Sequence, residues 1–236
     1  MKIVGLQKLT LLDFPGKVAC TVFLGGCNFR CPFCHNSDLL DGSTEALMDD
    51  TAFLDFLKKR TGLLDAVCVS GGEPTLQSAL PQFLKSIKEL GFLVKLDTNG
   101  YRPDVLRSLV ESGLVDYVAM DVKNGPSHYA ATTGLPGIDP DRLAQSLRFL
   151  IEGSIPYELR TTVVDELHSE ASILEMGQWL SSLAAPNKPA QLFLQCFTDR
   201  ESVLMSGLHA PQRETLETYL NILKPYVHHI ALRGVS

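Results

Sequence analysis

The sequence lacks the features that mark membrane, secreted and nucleic-acid-binding proteins. No stretch of its 236 residues reaches the roughly 18 consecutive apolar residues that a membrane span needs, and residues 1–8 show no cationic start followed by a long apolar run. With 21 basic and 27 acidic residues the net charge is -6, so no basic field attracts polyphosphate. We therefore expect a cytoplasmic protein whose partner is neither a membrane nor a nucleic acid.

Cysteines are few and unevenly distributed. The chain has six, and three of them fall within residues 27–34, whereas disulfide frameworks belong to small secreted chains with little core. Crowded thiols in a reducing compartment indicate metal binding. The other three, Cys20, Cys68 and Cys196, lie inside apolar segments. We predict that these three are buried thiols without a ligand role.

Low-complexity segments, linkers and repeats are also absent, so residues 1–236 are expected to form one domain. Predicted strands alternate with predicted helices about six times, which favours a parallel sheet with right-handed crossovers. The predicted strands are 18–24, 67–70, 93–98, 117–122, 157–164 and 191–196, and the C-terminal segment 225–236 contains a candidate edge strand at 227–231. The predicted helices are 51–60, 80–90, 103–112, 141–152, 170–183 and 212–223.

Chemically reactive side chains follow several of these strands, at 71–74, 97–100 and 121–123. In parallel α/β sheets the ligand lies at the carboxyl ends of the strands. Because the candidate ligands come from several strands at once, we expect an α/β fold. Its sheet should form a partial, open parallel β/α barrel of about six βα units, with the site at its mouth.

Three cysteines, Cys27, Cys31 and Cys34, follow the first predicted strand at a spacing that lets one loop direct their sulfurs toward one centre. Iron–sulfur clusters normally take four thiolates, so three ligands on a 4Fe-4S cluster leave one iron open to a substrate. The alternative is a structural zinc bound by these cysteines and His35. However, His35 directly follows Cys34, and zinc loops usually bring a second, distant ligand pair. We predict one 4Fe-4S cluster on the three cysteines.

The spacing Cys-x3-Cys-x2-Cys, with the aromatic Phe33 before the last cysteine, resembles the signature of radical S-adenosylmethionine enzymes. The resemblance implies that the open iron binds the amino and carboxylate groups of S-adenosylmethionine, whose cleavage gives a 5′-deoxyadenosyl radical. It also implies that the backbone around Phe33 lies near the adenine and that Asn36 faces the cofactor. The alternative for Phe33 is an ordinary core aromatic.

The segment Gly71-Gly72-Glu73-Pro74 resembles the Gly-Gly-Glu-Pro motif of the same family, which binds the methionyl amino group. Two glycines let the backbone approach a ligand closely, and a glutamate can accept a hydrogen bond from an ammonium. A lone tetrapeptide of this kind is also compatible with a simple turn.

Further cofactor contacts are expected after the third and fourth predicted strands. Turn formation accounts for the asparagine there, but less well for two aspartates that end apolar strands, where a charge needs a partner. The resemblance assigns ribose and carboxylate contacts to Asp97, Thr98, Asn99, Asp121 and Lys123. In glycyl-radical activators it further implies a monovalent cation near Asp97 and Asp121.

Two polar residues stand in otherwise apolar strands. Gln195 is predicted to reach the cofactor, with a neighbouring backbone group as its alternative partner. Arg160 needs a compensating charge if it is buried, and it can bind the cofactor carboxylate, an acidic neighbour or the substrate.

The whole chain resembles glycyl-radical-enzyme activating proteins, and most of all the anaerobic ribonucleoside-triphosphate reductase activating proteins. The matching segments are 9–17, 34–36, 70–77, 96–100, 120–134, 159–168 and 232–234. Two segments depart from the pattern: 164–166 has no proline, and 195–197 has a single glutamine. Only 36 residues separate Cys34 from Gly71 and they hold one cysteine, so no second cluster domain is inserted there.

The resemblance implies that a hydrogen atom is removed from a glycine Cα in a partner enzyme, with electrons from a donor such as flavodoxin or ferredoxin. The partner expected for this chain is anaerobic ribonucleotide reductase. Asp13, His35 and Arg160 are expected to act on this substrate, with the N-terminal segment 1–16 near the mouth of the barrel. Asp13 is alternatively a turn residue and His35 a solvated loop histidine.

Three alternative functions remain open from the sequence. The first is activation of pyruvate formate-lyase or another glycyl radical enzyme. The second is radical chemistry on a small molecule, as in 7-carboxy-7-deazaguanine synthases. The third is an electron carrier without turnover, which the Gly71 to Pro74 motif disfavours because a carrier needs no ammonium pocket.

Overall fold

The computed structural model describes residues 1–183 and 185–234. Within them, β-strands alternate with α-helices along most of the chain. The strands are β1 (Lys2–Thr10), β2 (Ala19–Leu24), β3 (Met48–Asp49), β4 (Ala66–Gly71), β5 (Leu93–Thr98), β6 (Tyr117–Asp121), β7 (Tyr157–Val163), β8 (Gln191–Cys196) and β9 (His229–Arg233). The helices are α1 (Asp50–Lys58), α2 (Leu80–Glu89), α3 (Pro103–Glu111), α4 (Tyr129–Thr133), α5 (Pro140–Glu152), α6 (Glu170–Leu183) and α7 (Arg213–Leu223). No helix in this described part of the chain is long and apolar enough to cross a membrane.

The chain divides into two compact units. The first unit comprises Met1–Asn28 and Asp38–Ala119, and the second comprises Phe29–Ser37 and Met120–Ser236. Strand β6 begins in the first unit and ends in the second. The expectation of a single domain over residues 1–236 stays a prediction.

In the first unit the strand order is β3-β1-β2-β4-β5, followed by the start of β6. Strands β2, β4 and β5 pair in parallel, whereas β1 runs antiparallel to both β2 and β3. Most residues of β2 and β4 are buried, as expected for apolar strands in the middle of a parallel sheet. Helix α2 carries Pro81 in its first turn and is followed shortly by Gly91, whose φ of +87° suits the left-handed position after a helix.

In the second unit the strand order is β6-β7-β8-β9, with β7, β8 and β9 parallel. Side chains alternate between two faces along β7 and β8. Leu159 and Leu192 are buried on one face, whereas Arg160 and Phe193 are partly exposed on the other. Helices α6 and α7 pack against each other. The second unit therefore has a partly exposed strand face that carries polar residues.

The predicted α/β fold with an open, mostly parallel sheet is confirmed. Each predicted strand and helix corresponds to an observed one within a few residues, and β9 is the edge strand expected from 227–231. Residues 235–236 of the predicted C-terminal segment lie outside the described residues. Strands β1 and β3 and helix α4 are additional elements.

The segment 1–16 begins at the carboxyl-end side of the sheet and ends at the amino-end side, and its expected position near the mouth of the barrel stays a prediction. Strand β1 begins beside the carboxyl end of β2 and, because it runs antiparallel, ends beside the amino end. Phe14 then packs in a buried cluster with the first residues of β2, β4 and β6, which are Ala19, Ala66 and Tyr117. Burial of this ring therefore fixes the end of the segment at the amino ends of the strands, whereas the turn at 71–74 follows a carboxyl end.

Candidate active site

The turn after β4 is built around a buried carboxylate. Glu73 is 1% exposed and accepts hydrogen bonds from the backbone N–H and hydroxyl of Thr75. It also accepts from the Thr98 hydroxyl at 2.8 Å and from the Asn99 N–H at 2.7 Å. Burial raises the pKa of Glu73, and these donors oppose the rise. Glu73 therefore ties together the turns after β4 and β5, and its contact with a cofactor ammonium stays a prediction.

Gly71 and Gly72 let this turn lie directly against the end of β2 and the loop that follows. The Gly72 N–H donates to Leu24 O, and the Glu73 N–H donates to Gly26 O, both at 2.8 Å. A Cβ atom at Gly71 would lie 2.2 Å from Leu24 O, and one at Gly72 would lie 2.1 Å from Gly26 O. Only glycine fits at either position, and Pro74 then begins a short 3-10 helix.

A second charged group lies within the sheet of the first unit. Lys95 is 1% exposed, and its Nζ lies 2.5 Å from Asp97 Oδ1, which gives the buried ammonium a partner. Lys95 is in register with Cys68, and Cys68 with Thr21, whose hydroxyl donates to Asp13. Asp13 therefore contacts the middle of β2, and its role toward a substrate stays a prediction. Lys95 was not among the predicted site residues, although a lysine inside an apolar strand is visible in the sequence.

In the second unit a carboxylate lies between two cations. Asp121 accepts from Lys123 Nζ at 2.9 Å and from Arg160 Nε at 3.0 Å. Burial alone raises the pKa of Asp121, but the charges and hydrogen bonds of Lys123 and Arg160 outweigh it, and the pKa falls to about 2. The acidic neighbour of Arg160 is thus Asp121. Asp97 and Asp121 each have a lysine as partner, which already balances their charges. The monovalent cation expected near these two residues stays a prediction.

Lys123 also contacts the segment that carries two of the cysteines. Its Nζ lies 5.7 Å from the ring centroid of Phe33, a cation–π distance, and Phe33 is buried. Burial lowers the pKa of Lys123, but the neighbouring Asp121 more than compensates and the net shift is upward. The ammonium over Phe33 is therefore charged.

The cysteine loop of the second unit, residues 29–37, is held by the β8–α7 loop, residues 197–212. His35 Nε2 lies 2.7 Å from Thr198 O, and the His35 ring stacks on Phe197 with centroids 5.6 Å apart. Two further hydrogen bonds join these loops, from Ser37 Oγ to Ser202 O and from the Met205 N–H to Pro32 O. His35 is therefore an anchor of the loop, and its role toward a substrate stays a prediction.

The three clustered cysteines are divided between the units. Cys27 belongs to the first unit, and Cys31 and Cys34 belong to the second. Cys31 is buried, and the other two are half-buried. Among residues 1–183 and 185–234, no three His, Cys, Asp or Glu side chains lie close enough to hold a single metal ion. A four-iron cluster makes no such demand, because each thiolate binds a different iron.

Two further residues predicted to contact the cofactor, Asn36 and Gln195, lie on the cysteine loop and on strand β8. The backbone N–H of Asn36 is directed at the sulfur of Cys34. Gln195 on β8 is in register with Thr162 on β7 and Arg233 on β9. The cofactor contacts expected of Asn36 and Gln195 stay predictions.

One buried polar atom next to the cysteines was missed. The amide nitrogen of Asn28, directly after Cys27, is buried and has no hydrogen-bond partner in the described part of the chain. A native structure rarely leaves such a donor without an acceptor. This donor and the glycine-lined turn after β4 both belong to the first unit, and together they suit a polar ligand.

Comparison with known proteins bears directly on this site. The model of the Radical SAM superfamily matches residues 21–176, about two thirds of the chain and most of the elements described above. The chain belongs to the radical SAM superfamily. Its cofactors are accordingly a 4Fe-4S cluster and S-adenosylmethionine, and the predicted cofactors are confirmed. When bound, the cluster supplies the electron that cleaves S-adenosylmethionine to a 5′-deoxyadenosyl radical.

Relatives extend over nearly the whole of this radical SAM protein. A protein of Methanocaldococcus jannaschii, named as a candidate glycyl-radical enzyme activating enzyme, is 30% identical over 98% of this chain and 95% of its own. The pyruvate formate-lyase 1-activating enzyme of Escherichia coli is 26% identical over 97% of both chains. A radical SAM methyltransferase from Sphaerobacter thermophilus shares the fold, with a TM-score of 0.71 at 16% identity over 95% of this chain and 68% of that one.

A buried histidine supports Lys123 from the opposite side. His168 is 5% exposed, and its Nε2 lies 2.9 Å from Lys123 O, while its Nδ1 lies 3.1 Å from the Val164 backbone nitrogen. The neutral form that satisfies both groups carries its proton on Nε2 and accepts at Nδ1. The Lys123 N–H in turn donates to the Tyr129 hydroxyl. His168 thus fixes the backbone that presents Lys123 to Phe33.

The pH dependence of stability should report this histidine. Burial lowers the pKa of His168 below 6.5, against the opposing effect of the Lys123 and Val164 backbone groups. Between pH 6.5 and that lower value the unfolded chain binds a proton that the native protein does not. The free energy of unfolding should therefore fall as the pH drops below 6.5, by up to about 1.4 kcal/mol per pH unit.

Urea unfolding across this range measures the effect, with His168→Gln as the matched variant because its amide both donates and accepts without titrating. The variant should show a shallower slope than the parent below pH 6.5. Equal slopes for the two proteins would show that His168 does not titrate as the structure requires.

Proposed function

We propose that this radical SAM protein generates a glycyl radical on a partner enzyme, and that the partner is anaerobic ribonucleoside-triphosphate reductase. The proposal rests first on the near full-length likeness to proteins named as glycyl-radical enzyme activating enzymes. The motifs along the chain that resemble the reductase activators give the finer assignment. The electron donor proposed is a small redox protein such as flavodoxin or ferredoxin.

The strand face of the second unit supports a peptide substrate. Arg160, Thr162, Phe193 and Gln195 share one side of β7 and β8 and are only partly buried, whereas the intervening residues are buried. Asp121 holds the guanidinium of Arg160 in place through a hydrogen bond at 3.0 Å. A face with both polar and aromatic groups suits a loop of polypeptide, which presents amides and side chains together.

The proposed reaction requires no proton transfer by side chains of this protein. A hydrogen atom leaves the Cα of one glycine, the 5′-deoxyadenosyl carbon receives it, and the remaining unpaired electron is stabilised by the two amide groups that flank the glycine. No general acid or base is required. The residues of this chain bind and orient the cofactors and the loop, and they keep water away from the radical.

Electron paramagnetic resonance tests the proposal. The reconstituted, reduced protein is mixed anaerobically with S-adenosylmethionine and with candidate glycyl radical enzymes. The reductase should give a doublet from coupling to the remaining Cα hydrogen, and deuterated glycine in the reductase should collapse the doublet and transfer one deuterium to 5′-deoxyadenosine. Cys31→Ala is the matched control without activity.

A second candidate function follows from the match to the Escherichia coli enzyme, which is named for pyruvate formate-lyase. A doublet on pyruvate formate-lyase and none on the reductase would establish that candidate. Formation of 5′-deoxyadenosine without a doublet on any protein would instead indicate a small-molecule substrate.

A further inference from the structure

The orientation of the Asn28 amide is determined by a chain of hydrogen bonds in the first unit. The Tyr101 N–H donates to Asn99 Oδ1 at 3.0 Å, which identifies the oxygen end of the Asn99 side chain. Asn99 must therefore present its Nδ2 to Asn28, where it donates to Oδ1 at 2.9 Å. The Asn28 oxygen is thus occupied by this bond, and its amide nitrogen points elsewhere.

This nitrogen is the donor that lacks an acceptor. Asn28 Nδ2 is buried, and no group in the described part of the chain accepts its hydrogen bonds. Leaving such a group unpaired opposes folding, so its acceptor is expected to come from outside the chain.

The position of the donor points to the cofactor. Asn28 directly follows Cys27, and its partner Asn99 is held at the backbone by Glu73. The donor is thus connected to the turns after β4 and β5 and to the loop after β2. These turns lie at the carboxyl ends of parallel strands, where α/β proteins bind their ligands.

We propose that Asn28 Nδ2 donates a hydrogen bond to an oxygen atom of bound S-adenosylmethionine, and that Asn99 is the positioning residue that aims it. The carboxylate and the ribose hydroxyls offer this same acceptor chemistry. The proposal rests on the cofactor of the superfamily and not on the glycyl radical function, so either can fail without the other.

Affinity measurements on the reconstituted protein test the contact. Asn28→Ala removes the donor and should weaken binding of S-adenosylmethionine about tenfold in isothermal titration. Asn28→Asp keeps the acceptor for Asn99 but replaces the donor with an acceptor, and should weaken binding at least as much. The iron content and the visible spectrum of the cluster should be unchanged in both variants.

Thermal unfolding of the cluster-free protein separates a ligand contact from a structural role. Asn28→Ala loses one protein hydrogen bond but also removes an unpaired donor, so its melting temperature should change little. The matched control is Asn124→Ala, because the fully buried Asn124 donates to Thr132 and to Leu167 O, and its melting temperature should clearly fall.

Two results would overturn the proposal. The first is unchanged affinity in both Asn28 variants with a melting temperature as low as that of Asn124→Ala, which would make Asn28 structural. The second is unchanged affinity together with a shifted reduction potential of the cluster, which would assign the donor to a cluster sulfur instead.

Discussion

Alanine at Cys27, Cys31 or Cys34 is expected to abolish the iron–sulfur cluster, with bound iron falling from about four atoms per chain to almost none. Each of the three thiolates would hold a different iron, which would leave the fourth iron open to S-adenosylmethionine. Removing one thiolate leaves two protein ligands, which do not retain a four-iron cluster. Iron and sulfide analysis with visible spectroscopy after anaerobic reconstitution measures the loss.

The other cysteines provide matched controls within the same chain. Burial raises the pKa of both Cys20 and Cys68 to about 12, and both lie inside strands and not on the loop that carries the clustered cysteines. Cys196 is the last residue of strand β8 and also lies outside that loop. Alanine at any of these three positions should leave the iron content unchanged. Equal loss of iron in one of them would show that the ligand assignment is wrong.

Gly71→Ala should destabilise the protein by at least about 3 kcal/mol. Gly71 has a φ of +121°, where residues with a side chain are strained, and its new Cβ would lie 2.2 Å from Leu24 O and 2.4 Å from Leu24 N. Both contacts are with the backbone of the neighbouring strand β2, so no side-chain rotation relieves them. Urea unfolding of the cluster-free protein measures the change.

The variant Gly91→Ala is the control that separates the cost of backbone strain from the cost of steric overlap in Gly71→Ala. Gly91 also has a positive φ, of +87°, but a Cβ there meets nothing within 4 Å. Strain alone should cost about 1 kcal/mol at this position. If the two alanine variants were equally stable, the close approach of β4 to β2 would not be what requires glycine at position 71.

The sheet was predictable because its central strands are short apolar runs bounded by turns. Strand β1 was not, because only Ile3 and Thr10 of its nine residues are fully buried and the apolar residues do not alternate regularly. Its place depends on pairing with β2, which is a tertiary effect. The same pairing brings Phe14 to the amino ends of β2, β4 and β6.

The parts of the candidate site that form a sequence motif could be predicted. The parts that depend on the orientation of side chains in the folded protein could not. The cysteine spacing and the Gly71 to Pro74 motif are visible in the sequence. That Glu73 accepts from Thr98 and Asn99 requires knowing that β4 and β5 are neighbours. The free end of the Asn28 amide depends on a hydrogen bond from Tyr101 to Asn99, which no sequence pattern encodes.

The contacts between residues 29–37 and the β8–α7 loop reduce the conformational entropy that the cysteine loop has left to lose when it binds iron. A flexible loop loses conformational entropy when its sulfurs gather around a metal, which weakens the assembly. His35, Ser37 and Pro32 are hydrogen-bonded to the β8–α7 loop through protein groups alone, and these bonds use none of the cysteine sulfurs. Folding of the second unit therefore preorganises the segment bearing Cys31 and Cys34, and cluster insertion starts from an ordered scaffold.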